Sequence, residues 1–325
     1  MNKFILSFLL VLLASSCETD FNVNADWDEV TILYGLLDQS NDLQYVKINK
    51  AFLGQEDALL MASNSDSSNF EPNDLEITIY KIKTSSFNSF DTLGLVTLSD
   101  TSLLKDPGLF PTDNNIIYKF NNSSDFLNSN FVYSIKVFNK ISGNVVSSST
   151  RLIDGFNFET FNPSFDFGFY NSSIGYISKT LTWQKSNFGE IYQLDLIFNY
   201  IEGDDTIAVV WSQPLVESLG SNLMNSQFDG ESFFNFLNSS IEINNNVIRR
   251  FFKLDIRMTV GTQELQTYIN VNQPFSSIVQ ERPSYSNINN GIGLFSSRYT
   301  YLVEGIGLTN GTRSYIINDL DLSFQ

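Results

Sequence analysis

The cleanest periodicity in the chain runs from Tyr192 to Tyr200, where Tyr192, Leu194, Leu196, Phe198 and Tyr200 alternate with Gln193, Asp195, Ile197 and Asn199. A period of two puts one set of side chains on a buried sheet face and predicts a strand. Leu75, Ile77 and Ile79 alternate with Glu76, Thr78 and Tyr80 in the same way. Within Ile248–Val260, Phe252, Leu254, Ile256, Met258 and Val260 alternate with Lys253, Asp255 and Arg257. The apolar run Val30–Leu37, the polar Asp38–Asp42 and the return Gln44–Phe52 predict a hairpin, as does Thr206–Trp211 pairing back across the turn Glu202–Asp205. Phe131–Ile153 predicts a third, with Tyr133, Ile135 and Val137 on one face and Ser142-Gly143-Asn144 at the turn. Glu231–Ser239 is the best short helix, and Asp57–Ala62 has room for a turn or two. Leu265–Val271 reads as a further strand, and the C-terminus as a hairpin of Tyr299–Leu308 and Ser314–Phe324 around Asn310-Gly311, the strongest short hairpin signal.

These elements predict an all-β chain in two parts. Residues 155–175 carry Phe156, Phe158, Phe161, Phe165, Phe167, Phe169 and Tyr170 among Asn, Asp, Ser and Gly. Flexible linkers avoid large apolar side chains, so this stretch reads as a connector that packs, with an exposed aromatic surface as the alternative. The expected division is 1–17 signal peptide, 18–28 tether, 29–154 N-terminal sandwich, 155–178 packed connector and 179–325 C-terminal sandwich.

The N-terminus breaks the strand pattern. Lys3 precedes an apolar run from Phe4 to Ala14, then Ser15, Ser16 and Cys17. About eleven apolar residues are too few for a membrane span of roughly twenty, and the layout is that of a secretory signal. Cys17 is the only cysteine, histidine is absent and the formal charge is −17. The usual general base and transition-metal ligand are therefore missing, a disulfide framework is excluded, and nucleic acid is disfavoured as a partner. No cofactor motif is present, and no acidic segment has the spacing of a calcium loop. The one basic cluster, Arg249, Arg250, Lys253 and Arg257, reads as charge balancing on a solvated sheet face, with a phosphate or acidic-glycan site as the alternative. Gln280–Arg298 reads as a long shaped loop, in which Arg282, Tyr285, Asn287 and Arg298 are the candidate ligand or partner groups.

Several of these passages resemble known families. Leu13–Cys17 resembles the lipobox of bacterial lipoproteins, with Ala14 where that motif prefers leucine; the resemblance implies acylation of Cys17 and cleavage before it. Glu18-Thr19-Asp20-Phe21 resembles the acidic export signals of Bacteroidota surface lipoproteins. Phe131–Ile153 resembles the last two strands of immunoglobulin-like and fibronectin-like sandwiches, in which a tyrosine opens the penultimate strand, and Trp183 followed by a Tyr-led strand resembles a fibronectin-like start. The fold class expected is therefore two immunoglobulin/fibronectin-like β-sandwich domains with short helical insertions. Asp91-Thr92-Leu93 and Asp205-Thr206-Ile207 resemble Bacteroidota O-glycosylation motifs, with Thr92 the better candidate.

The lipobox, the opening strand pair and Gln280–Arg298 together resemble uncharacterised Bacteroidota outer-membrane lipoproteins whose genes often accompany TonB-dependent transporters. That resemblance transfers no catalytic residue. It implies a lipid-anchored binding or assembly protein, held on the outer membrane by its N-terminal lipid beside a transporter or other surface protein, with a glycan or peptide as a further ligand class. The alternatives are a glycan-active enzyme working with two carboxylates, which needs no histidine, and a structural or adhesive surface protein, for which the tandem repeats are missing.

Overall fold

The computed structural model describes residues 30–51, 68–84, 90–104, 115–122, 125–273 and 284–325. Cys17, Arg282 and the Asp57–Ala62 segment lie outside the described residues. The fold is all-β, with several sheets packed in sandwich fashion.

The N-terminal part contains β1 (Thr31–Asp38), β2 (Leu43–Lys50), β3 (Leu75–Thr84), β4 (Phe90–Thr97), β5 (Ser99–Ser102), β6 (Ile116–Asn121), β7 (Val132–Asn139) and β8 (Val145–Arg151). Strands β1-β2-β6-β5 form one layer and β4-β3-β7-β8 the other. This partition of strands is that of an immunoglobulin sandwich with an added edge strand. Leu33, Val46 and Ile48 of the first layer meet Ile77, Ile79, Ile135 and Val137 of the second in one buried core. Tyr133 opens β7, and its hydroxyl donates to the Phe126 carbonyl and accepts from Asn128 N–H, both at 2.7 Å. This is the expected tyrosine corner.

The remainder contains β9 (Tyr170–Asn171), β10 (Gly175–Tyr176), β11 (Lys179–Gln184), β12 (Ile191–Glu202), β13 (Asp205–Ser212), β14 (Val216–Glu217), β15 (Leu223–Phe228), α1 (Gly230–Ser240), β16 (Arg249–Gly261), α2 (Gln263–Asn272), β17 (Gly291–Ile306) and α3 (Asn310–Asp319). A second core gathers Leu194, Leu196 and Phe198 of β12, Leu254, Ile256 and Met258 of β16, Trp183 of β11, and Phe233 and Leu237 of α1. Phe156, Phe167 and Phe169 are buried in it as well, whereas Phe165 is 70% exposed.

Strand β17 joins the two cores. Its first half pairs in parallel with β1, from Thr31↔Gly291 to Asp38↔Arg298, and its second half pairs antiparallel with β16, from Gly261↔Arg298 to Leu254↔Ile306. The result is one nine-stranded sheet with the order β13-β12-β16-β17-β1-β2-β6-β5, with β14 alongside β12. Phe295 and Ile288, late in the chain, sit in the N-terminal core. The expected loop character of Gly291 and Gly293 has a different physical cause. A Cβ at Gly293 would collide with the Leu33 carbonyl, and its φ is +123°, so glycine is what lets β17 approach β1.

Three further expectations are corrected. Leu265–Val271 is helical: Leu265, Tyr268 and Ile269 fall on one face of α2 at helical spacing. Asn310-Gly311 opens α3 instead of turning a hairpin. Gly311 is needed because a Cβ there would strike the Tyr170 carbonyl, and the neighbouring Thr312 Oγ1 accepts from Phe169 N–H at 2.8 Å. Phe252 is 53% exposed because a bulge opposite Asn199/Tyr200 breaks the alternation and turns Phe251 toward Phe198.

Candidate functional site

Strand β1 is apolar on both faces, the pattern of a strand covered on both sides. Leu33 and Leu37 enter the core, while Tyr34 and Leu36 lie on the opposite face beside Leu294 and Ser296 of β17. Helix α2 lies across that outer face. Thr262 and Ser296 hydroxyls meet at 2.6 Å, and the Tyr268 hydroxyl donates to that of Tyr34 at 3.3 Å, their rings edge to face at 6.0 Å. The hydrogen bond, burial and the second phenol push the Tyr34 pKa up to about 12.

The helix does not cover the whole face. Between it and the start of β2 remains a half-open cleft of about 420 Å³. Leu36, Leu43, Leu265, Ile269 and Leu294 give it an apolar lining, and Tyr34, Tyr45 and Tyr268 supply aromatic walls. Arg298 stands at the polar end. Its Nε lies 3.4 Å from Asp38 Oδ2, with the arginine side chain 45% exposed and the carboxylate 3% exposed. Asp38 also accepts from Thr300 Oγ1 at 2.8 Å, from Ser40 N–H at 3.0 Å and from Ser40 Oγ. The Gln44 carboxamide pairs with both N–H and C=O of Asp38 at 2.8 Å, which fixes the turn carrying that carboxylate.

The loop candidates separate. Arg298 faces this cleft. Asn287 is structural, since its carboxamide accepts from Phe295 N–H at 2.9 Å and donates to the Phe295 carbonyl at 2.7 Å. Tyr285 is half-buried on the side of Glu264, and burial and that carboxylate raise its pKa. Thr92 is exposed on β4 beside a break in register at Lys81/Ile82. Tyr34, Tyr45, Leu265 and Tyr268 were missed by sequence reasoning; the available signals were the two-faced apolarity of β1 and the helical spacing in α2.

Three of the four residues of the basic cluster are committed to neighbouring groups. Arg249 is 3% exposed and holds Glu202 at 2.6 Å and the Glu242 and Leu322 carbonyls at 2.9 Å. Lys253 binds Glu304 at 2.9 Å and Asp255 at 3.1 Å, contacts that raise its pKa, and Arg257 binds Asp195 at 2.7 Å. Arg250 is exposed.

A smaller polar cavity of about 280 Å³ includes both Glu190 and Glu264 in its wall, with Arg151, Phe188 and Thr262. Burial alone would raise the Glu190 pKa, but hydrogen bonds from Lys185 and Ser218 outweigh it and hold the group below its ordinary value. Glu190 is thus held as an anion by Lys185 and Ser218. Glu264 accepts from Thr262 Oγ1 at 2.7 Å. Among the described residues no group of three His, Cys, Asp or Glu side chains is placed to hold a metal ion, and no helix is long and apolar enough to cross a membrane. No protein-family model and no curated protein matches the sequence.

Proposed function

We propose that the protein is a lipid-anchored binding protein of the bacterial outer membrane, accessory to a transporter or other surface complex, and that the cleft beneath α2 is its binding site. The observation that carries the reading is the cleft itself, an apolar, tyrosine-walled recess with one arginine at its end. Few polar groups around an apolar recess is the usual composition of a ligand site. The resemblance of Leu13–Cys17 to a lipobox, and of the opening strand pair and Gln280–Arg298 to Bacteroidota lipoproteins, supports the location.

The chain enters the described structure at Val30, beside the end of β17 that is remote from β16. With about 3.3 Å of rise per residue, the cleft starts about 13 Å from that point, at Tyr34, and its polar end at Asp38 lies about 25 Å away. An acylated Cys17 with two or more chains anchors stably. Cys17→Ser is expected to abolish palmitate labelling and release the protein from the membrane fraction; unchanged labelling refutes the anchor. Capture of the protein from outer membranes is expected to recover a stable partner, and Leu43→Trp, which fills the cleft, to weaken that recovery.

The second reading, a carboxylate-based glycan hydrolase, draws on Glu190 and Glu264 in one cavity wall. It requires that Glu190→Gln and Glu264→Gln each abolish a measurable glycan hydrolysis by the purified protein.

A further inference from the structure

The geometry points to an amphipathic carboxylate as the ligand of the cleft: a medium-chain acyl tail among Leu36, Leu43, Leu265 and Ile269, with its carboxylate on Arg298. The inference rests on the reading of the cleft as a binding site and names what it takes.

The argument starts from the guanidinium. Arg298 approaches Asp38 most closely through Nε, at 3.4 Å, and among the described residues no hydrogen bond engages its two terminal nitrogens. They form the face of the guanidinium that matches a carboxylate in a paired, planar contact. Asp38 does not compete for them, because its oxygens are already occupied by Ser40 and Thr300 and its main-chain groups by Gln44. The Asp38 carboxylate is part of the cleft wall, but it is 3% exposed and its oxygens are already engaged, so it fixes the arginine from beneath. Beyond Asp38 and Arg298, only Asn41 and Gln44 add polar groups to a lining that is otherwise apolar or phenolic, so a small polar anion would leave most of the recess dry and unfilled. The volume sets the tail. At ~30 Å³ for a group the size of a water molecule, a tail of about ten carbons and its carboxylate fill most of 420 Å³. The rim position of Tyr34, 42% exposed, lets its ring close over such a tail while its hydroxyl stays in the pair with Tyr268.

The test is isothermal titration of the full-length protein carrying Cys17→Ser, purified without detergent, with decanoate, decanol and acetate as probes. Decanoate is expected to bind one site at micromolar concentration, and decanol and acetate each at least tenfold more weakly. Arg298→Gln is expected to erase the preference for decanoate over decanol, and Leu43→Trp, at a position 40% exposed, to abolish binding while leaving the thermal melt unchanged. No decanoate binding, equal affinity for decanol, equal affinity for acetate, or binding that survives Leu43→Trp each overturns the proposal. A membrane partner recovered equally well with and without Leu43→Trp, from a protein that ignores decanoate, overturns both this ligand and the cleft as partner site, and leaves only the anchored accessory role. A partner lost with Leu43→Trp, in a protein that ignores decanoate, overturns the acid alone.

Discussion

One face of the nine-stranded sheet solves the same problem in two ways. Along β17 the even-numbered residues Leu294, Ser296, Arg298, Thr300, Leu302 and Glu304 point away from both cores. Over the half shared with β1 that face is apolar and is covered by α2. Over the half shared with β16 it covers itself: Asp195 with Arg257, Lys253 with Asp255 and Glu304, and Asn199 Nδ2 donating to Asp255 at 2.9 Å. Long charged side chains shield the sheet beneath them while their heads stay wet, whereas short apolar ones need a separate element above them. Arg298 stands at the change from one solution to the other, and the cleft is the space left at that seam.

The sharpest way to break the comparison is to remove its shared strand. Gly293→Val must place a side chain against the Leu33 carbonyl at a left-handed φ; a loss of more than about 4 kcal/mol is expected, read as failure to give a cooperative thermal melt. Next is the apolar half alone. Leu294, 3% exposed, replaced by Asp puts an unpaired carboxylate under α2, with an expected loss of about 2–4 kcal/mol by denaturant titration. On the charged half, Arg257→Leu leaves Asp195 without its partner and is expected to cost about 1–3 kcal/mol, while Asp195→Leu together with Arg257→Leu recovers most of it. Equal damage from the single and double variants would show that the charges there are not the cover.

The smallest effects separate two buried tyrosines of the N-terminal core. Tyr118 and Tyr133 both have pKa values pushed up to about 12, chiefly by burial. The unfolded phenol ionises near 10, so each contributes stability that is complete below pH 10 and is lost as pH rises toward 12. Tyr133→Phe removes the corner hydrogen bonds and is expected to lower neutral-pH stability by about 1–2 kcal/mol. Among the described residues the Tyr118 hydroxyl has no hydrogen-bond partner, so Tyr118→Phe is expected to be within about 0.5 kcal/mol at pH 7 and to flatten the alkaline loss in a pH-resolved melt.

Much of this was legible in the chain where structure is local. The alternation in β12, the hairpins at Asp38–Asp42 and Gly203, helix α1 and the Tyr133 corner each follow from a short stretch of residues. Glu231 to Ser239 needed only its Phe-rich face and Asp229, whose carboxylate accepts from Ser232 N–H at 2.8 Å. What could not be read was set by distant partners. Gly291 and Gly293 carry the composition of a loop, yet their conformation answers to Thr31 and Leu33 at the other end of the chain. Leu265, Thr267, Ile269 and Val271 fit a strand as well as Leu265, Tyr268 and Ile269 fit a helix, and the uncovered face of β1 decides between them. The cleft inherits that difficulty, since its walls come from β1, β2, α2 and β17. Of the proposed loop residues, Arg298 alone reaches it among those described.

The parallel pairing of β1 with β17 also has a mechanical meaning. A pull applied at Val30 and resisted at the far end of β17 draws the two strands past one another along their length. Eight residue pairs, Thr31↔Gly291 through Asp38↔Arg298, then share the load at once instead of opening in succession like a zip. The antiparallel ladder from Gly261↔Arg298 to Leu254↔Ile306 passes that load on to β16, so the strand that joins the two cores is also the member that resists their separation under tension.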